Sequence, residues 1–154
     1  MAQANTDKIE KRILLRAPRS RVWRALSDAQ EFGSWFGVQL AGRFEPGARV
    51  SGKVTHPGYE HLTFEISVER MEPERFFSWR WHPAPVDAGV DYSKEPTTLV
   101  VFELEDAAGG TMLKVVESGF DKIPLERRAK AFELNDEGWG LQMKAIERHV
   151  AQAK

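Results

Sequence analysis

The sequence predicts an α+β fold: a curved antiparallel sheet of about seven strands, two short helices after the first strand, and a long C-terminal helix across the sheet. Three observations predict it. Residues 61–71 alternate, with Leu62, Phe64, Ile66 and Val68 on one face and Thr63, Glu65, Ser67 and Glu69 on the other, the period of a strand with one wet face. Phe132, Trp139, Met143, Ile146 and Val150 follow one another at offsets of seven, four, three and four, all on one side of a 3.6-residue helix. The breaks between periodic segments are short and marked by Pro and Gly, with no repeat or linker, so residues 8–152 read as one domain behind a flexible N-terminus, 1–7. A sheet with one apolar face and a helix with one apolar stripe bury both by packing together. A curved sheet need not touch the helix everywhere, which leaves room for a cavity.

In chain order, Lys8 to Arg16 carries Ile9, Ile13 and Leu15 at even spacing and reads as the first strand. Pro18 opens a short helix with Val22, Trp23 and Leu26 on one side, ending near Ser27. Asp28 is the N-cap of a second short helix reaching Phe32, and Gly33 and Gly37 then bracket an aromatic turn, Ser34-Trp35-Phe36. Arg43 to Glu45, a Pro46-Gly47 turn, Ala48 to Thr55 and a Pro57-Gly58 turn read as hairpins. Phe76 to His82 forms a strand in which alternation sets Phe77, Trp79 and Trp81 together, opposite Phe76, Ser78, Arg80 and His82. After a loop from Pro83 to Pro96, Thr98 to Glu105 and Met112 to Ser118 are joined through Gly109-Gly110, a strong hairpin signal.

The 154 residues, 42% hydrophobic and 29% charged with a net charge of -1, suit one real core and speak against both disorder and a nucleic-acid partner. The absence of cysteine removes disulfides, thiol nucleophiles and cysteine zinc sites. The segment MAQANTDKIEKR has no apolar core, and no run approaches the roughly 20 apolar residues of a membrane span. The expectation is a soluble, cytoplasmic protein.

Phe64, Phe77, Trp79 and Trp81 from the sheet and Trp139 and Met143 from the helix would face one another across the cavity. Aromatic walls with a flexible thioether suit flat or acyl ligands, although the same residues also suit simple core filling. Glu117 shares the parity of Leu113 and Val115 and so belongs to the inner face. A carboxylate there has its pKa raised unless a cation or several donors compensate, so it could orient a ligand hydroxyl or act as an acid or base. The alternative is a strand-end carboxylate reaching water or pairing with Arg. The four histidines show no metal-ligand spacing, and no nucleophile elbow, Walker loop or dinucleotide fingerprint is present, so neither a metal nor a cofactor is expected. Leu134, Gly138, Leu141 and Ala145 make a second stripe, suited to packing against a neighbouring element or to a homodimer contact.

An ordered series of short motifs runs along residues 8 to 150: Ala17-Pro18 with Val22-Trp23 and Ala25-Leu26, Trp35-Phe36, Pro46-Gly47, Glu72-Pro73 with Arg75-Phe76 leading to Trp81, Glu117-Ser118-Gly119-Phe120, and Gly138-Trp139. In this series the chain resembles the helix-grip superfamily of START and birch-pollen-allergen-like domains (SRPBCC), and within it the bacterial activator of heat-shock protein ATPase homologue branch. That resemblance implies a ligand cavity between sheet and C-terminal helix, with Trp35 and Phe36 at one end as a lid. Eukaryotic members carry an additional chaperone-binding domain, for which the residues before Lys8 leave no room, so a full co-chaperone role is not expected. The superfamily mixes carriers, sensors, cyclases and hydrolases, so the site must decide. The leading expectation is a binding module for a small hydrophobic molecule, lipid, polyketide or flavonoid-like, without catalysis. One alternative is a cyclase or hydrolase using Glu117 with a nearby His or Tyr59. The other is a stress-related protein that contacts a chaperone.

Overall fold

The computed structural model describes residues 8–58, 60–82 and 96–152. The expected flexible segment 1–7, Tyr59 and nearly all of the expected loop that starts at Pro83 lie outside these residues. The chain runs β1 (Lys8–Leu15), α1 (Arg19–Ser27), α2 (Ala29–Phe36), β2 (Val38–Ala41), β3 (Arg49–Val54), β4 (Thr63–Glu72), β5 (Phe76–Trp81), β6 (Thr98–Ala107), β7 (Gly110–Ser118), a 3-10 turn (Phe120–Lys122) and α3 (Leu125–Gln152). The strands make one seven-stranded antiparallel sheet in the order β1-β7-β6-β5-β4-β3-β2. Only β1 leaves the meander: the two short helices carry the chain from one edge of the sheet to the other, and β7 returns to pair with β1.

Two local expectations need correction. The second helix does not stop at Phe32 but continues through Trp35 to Phe36, and what looked like a bracketed turn is its last turn. Gly33 lies within this helix, and only glycine fits there, because the carbonyl oxygen of Val38 passes 2.3 Å from where a Cβ would stand. The helix ends at Gly37, whose φ of 96° is the left-handed C-cap conformation. The strand expected at Arg43 to Glu45 is instead Val38–Ala41, with Val38 and Leu40 turned into the core and Gln39 and Ala41 outward. Its alternation is only four residues long, too short to stand out from a flanking helix. Asp28 caps α2 as expected, its carboxylate accepting from the backbone N–H groups of Gln30 and Glu31 at 3.0 Å.

The inner face of the sheet and the apolar stripe of α3 meet as predicted, with Trp139, Met143, Ile146 and Val150 buried and Phe132 packed edge-on against Phe120. At the α2 end the contact between layers is aromatic. Phe32 lies 5.6 Å from Trp79, and Trp79 in turn lies 5.4 Å from Phe77 and 5.1 Å from Phe102, ring centre to ring centre. Such pairs contribute about 0.5–1.5 kcal/mol each beyond their area.

Candidate functional site

Strand β7 alternates strictly: Thr111, Leu113, Val115 and Glu117 point inward and are buried. Glu117 is therefore carried into the interior by the same periodicity that buries its apolar neighbours, as the sequence predicted, and it is 0% exposed. Four side chains donate to it. Trp81 Nε1 lies 2.7 Å and Thr98 Oγ1 2.5 Å from Oε2, Trp139 Nε1 2.8 Å from Oε1, and Asn135 Nδ2 spans both oxygens at 2.9 and 3.0 Å. Three elements bring them together. Trp81 and Thr98 are register partners across β5 and β6, while Asn135 and Trp139 stand one turn apart on α3.

No cation is among these partners. Burial pushes the Glu117 carboxyl above its ordinary range, and the hydrogen bonds from Thr98, Trp81, Trp139 and Asn135 pull the other way without cancelling it. A hydrogen bond to an ionised group contributes about 1.5–3 kcal/mol, so four donors offset much of the several kcal/mol that desolvating a carboxylate costs. The arrangement also locks two indole rings: Trp81 and Trp139 lie 5.8 Å apart and 31° from parallel, each tethered through its N–H.

Beside this pair is a cleft of about 100 Å³, lined by Phe36, Trp81, Leu134, Asn135, Gly138, Trp139 and Gln142. Of the residues expected at the site, Phe36, Trp81 and Trp139 form its walls, and Glu117 stands behind them, hydrogen-bonded to three of the lining residues. Phe64, Phe77, Trp79 and Met143 are buried in the core behind that wall, Phe64 touching both Phe36 (5.4 Å) and Trp81 (5.9 Å). Trp35 is buried too; its Nε1 donates to the carbonyl of Ala25 at 2.8 Å and its ring meets Phe32 edge-on, so it ties α2 to α1. Three residues escaped the sequence reading. Thr98 and Asn135 are visible only through register and helical spacing, and Gln142 reaches across to donate to the carbonyl of Phe36 at 2.9 Å. Gly138, with Leu134 part of the second stripe, lines the cleft, and a Cβ built there meets nothing within 4 Å.

Other depressions lack this convergence. One of about 460 Å³ lies between Ser27–Gln30 and Gly42–Pro46, an open surface hollow with no buried polar group aimed into it. Among the described residues no helix is long and apolar enough to cross a membrane. Within the second stripe, Leu134 and Leu141 are exposed, while Ala145 packs on the core.

A sheet wrapped on a long C-terminal helix, with a small cleft at one end of their interface, defines a helix-grip domain. The chain belongs to the family described as activator of Hsp90 ATPase homolog 1-like protein, which it matches over residues 16–151. Its fold is similar to that of a Mesorhizobium loti protein (TM-score 0.76, 20% identity, 96% of this chain and 98% of that one). It is also similar to the Aha1 dimer from Colwellia psychrerythraea (TM-score 0.71, 15% identity, 96% and 98%). DynU16, from the dynemicin biosynthetic locus, matches at TM-score 0.73 and 24% identity over 96% of this chain, which spans 48% of that longer protein. No curated protein matches the sequence.

Proposed function

We propose that this protein binds a small, largely apolar molecule in the cleft between Phe36, Trp81 and α3, and that Glu117 serves to hold the cleft's two indoles in place. The observation that carries the reading is Gly138. A glycine inside a 28-residue helix costs about 1 kcal/mol relative to alanine, and here the missing side chain leaves space on the cleft side of α3, beside the two tethered tryptophans. Buried Phe64, Phe77, Trp79 and Met143 act as the rigid backing of the wall. The partners of Glu117 support binding over proton transfer: three are indole or amide N–H groups, the fourth is the Thr98 hydroxyl, and no histidine, lysine or tyrosine is among them.

Native mass spectrometry of freshly purified protein, followed by thermal-shift titration with lipid, polyketide-like and flavonoid-like compounds, tests this. The expected result is a co-purified adduct or a saturable rise in Tm that disappears in Trp81→Ala. A complete lack of saturable stabilisation across the panel would count against it. Self-association is a second reading, supported by Leu134 and Leu141, exposed one above the other on α3 at 37% and 63%. Sedimentation should show a dimer that Leu141→Glu dissociates; a monomer at high concentration removes this reading.

A further inference from the structure

We propose that the cleft selects small organic ammonium ions, held against aromatic faces in front of the Glu117 carboxylate. This deepens the binding reading above and rests on it. The charged group nearest the cleft draws on its donors. Trp81 Nε1, Trp139 Nε1 and Asn135 Nδ2 all donate to Glu117, and Gln142 Nε2 donates to the carbonyl of Phe36. A carboxylate and a backbone carbonyl only accept, so both amide orientations are set, and the polar groups left over are the carbonyl oxygens of Asn135 and Gln142 and the second, neutral N–H of each amide. The remaining wall is the Leu134 side chain, Gly138 and the rings of Phe36, Trp81 and Trp139, and the faces of such rings are the negative part of their quadrupoles.

No Lys, Arg or His lines the cleft among the described residues. Behind it, each oxygen of Glu117 has at least two hydrogen-bond partners, and none of those partners carries a positive charge, so any negative charge on the carboxyl is left for a ligand to meet. Ring faces, carbonyl oxygens and the buried anion therefore act in one direction. Donation from the indole N–H groups to that anion adds electron density to the rings a cation would face. A fatty-acid carboxylate or a phosphate would find no positive charge to meet it, only neutral amide N–H groups among acceptors and aromatic rings. An ammonium group would be attracted by all three at once, and desolvated cation–π contacts are the strong ones.

The test uses choline chloride, its uncharged carbon isostere 3,3-dimethyl-1-butanol, and sodium hexanoate at matched ionic strength, followed by the indole N–H resonances of Trp81 and Trp139 in 15N-labelled protein. Choline should bind at least about tenfold more tightly than the isostere, equivalent to about 1.4 kcal/mol, and Glu117→Gln should bring the two close together. Binding of the isostere or of hexanoate as tight as that of choline overturns the charge selectivity and leaves the cleft reading standing. Absence of shifts with all three compounds, together with an empty thermal-shift panel, overturns both. Should Glu117→Gln fail to fold, the choline and isostere pair on the natural protein decides alone.

Discussion

Two carboxylates, Glu31 and Glu117, each gather a ring of donors, yet their surroundings are opposite in kind. Glu31, on α2, accepts from Arg21 at 2.5 Å and Arg24 at 2.8 Å and lies 2.9 Å from His149 of α3, so three basic side chains from two other helices converge on it. Glu117 is more deeply buried and has only neutral donors. The acidity of the two diverges accordingly. Glu31, although partial burial works against it, is held below the ordinary carboxylate range by its bonds to His149, Arg21 and Arg24, whereas burial drives Glu117 above it. The first is an ion-pair hub that ties three helices together. The second is a buried carboxyl with no cation to neutralise it, set behind a small cleft.

The sharpest way to break this comparison is Glu117→Ala. It leaves two indoles, an amide and a hydroxyl without their acceptor, and should cost about 3–5 kcal/mol in urea unfolding, since each stranded buried donor costs about 1–3 kcal/mol and water can reach some of them through the cleft. Glu31→Gln should cost less, about 2 kcal/mol, because its cluster is part-exposed even though Arg21 would be left with an uncompensated charge. A loss under 1 kcal/mol for Glu117→Ala would contradict the description of its cluster.

Stability against pH separates the two more finely. A depressed folded pKa means that Glu31 contributes stability above the usual carboxylate value of 4.5, lost as pH falls through its lower folded pKa. Glu117 has the reverse sign. Its raised folded pKa means the native state holds the proton more tightly, so stability should decline as pH climbs from 4.5 to that raised value and then level off. Unfolding free energies measured across pH should therefore show Glu31→Gln flattening the acid limb and Glu117→Gln flattening the decline above it. The smallest expected effect is a gain: Gly138→Ala should raise stability by about 0.5–1 kcal/mol through helix propensity while weakening any ligand of the cleft. A destabilised Gly138→Ala would mean the cleft is not open where the structure places it.

The inward turn of Glu117 was legible because a nine-residue strand with two-residue periodicity leaves no ambiguity of face. The aromatic side of β5 and the stripe of α3 were legible for the same reason, and so was the family, through motifs spread over nearly the whole chain. Short elements were not. The four residues of β2 carry too little alternation to outvote the neighbouring helix, and the last turn of α2 hid behind two glycines, of which only Gly37 ends it.

Local periodicity, then, was enough to say which side chains enter the interior, because the face of a residue depends on its own strand or helix alone. Which of those side chains meet was beyond its reach. Thr98, Asn135 and the two indoles converge on one carboxylate only after strand register and the seating of α3 on the sheet are set, and those are long-range choices made by packing. The same choices determined where the rings interlock into solid core and where, over Gly138, they leave a gap.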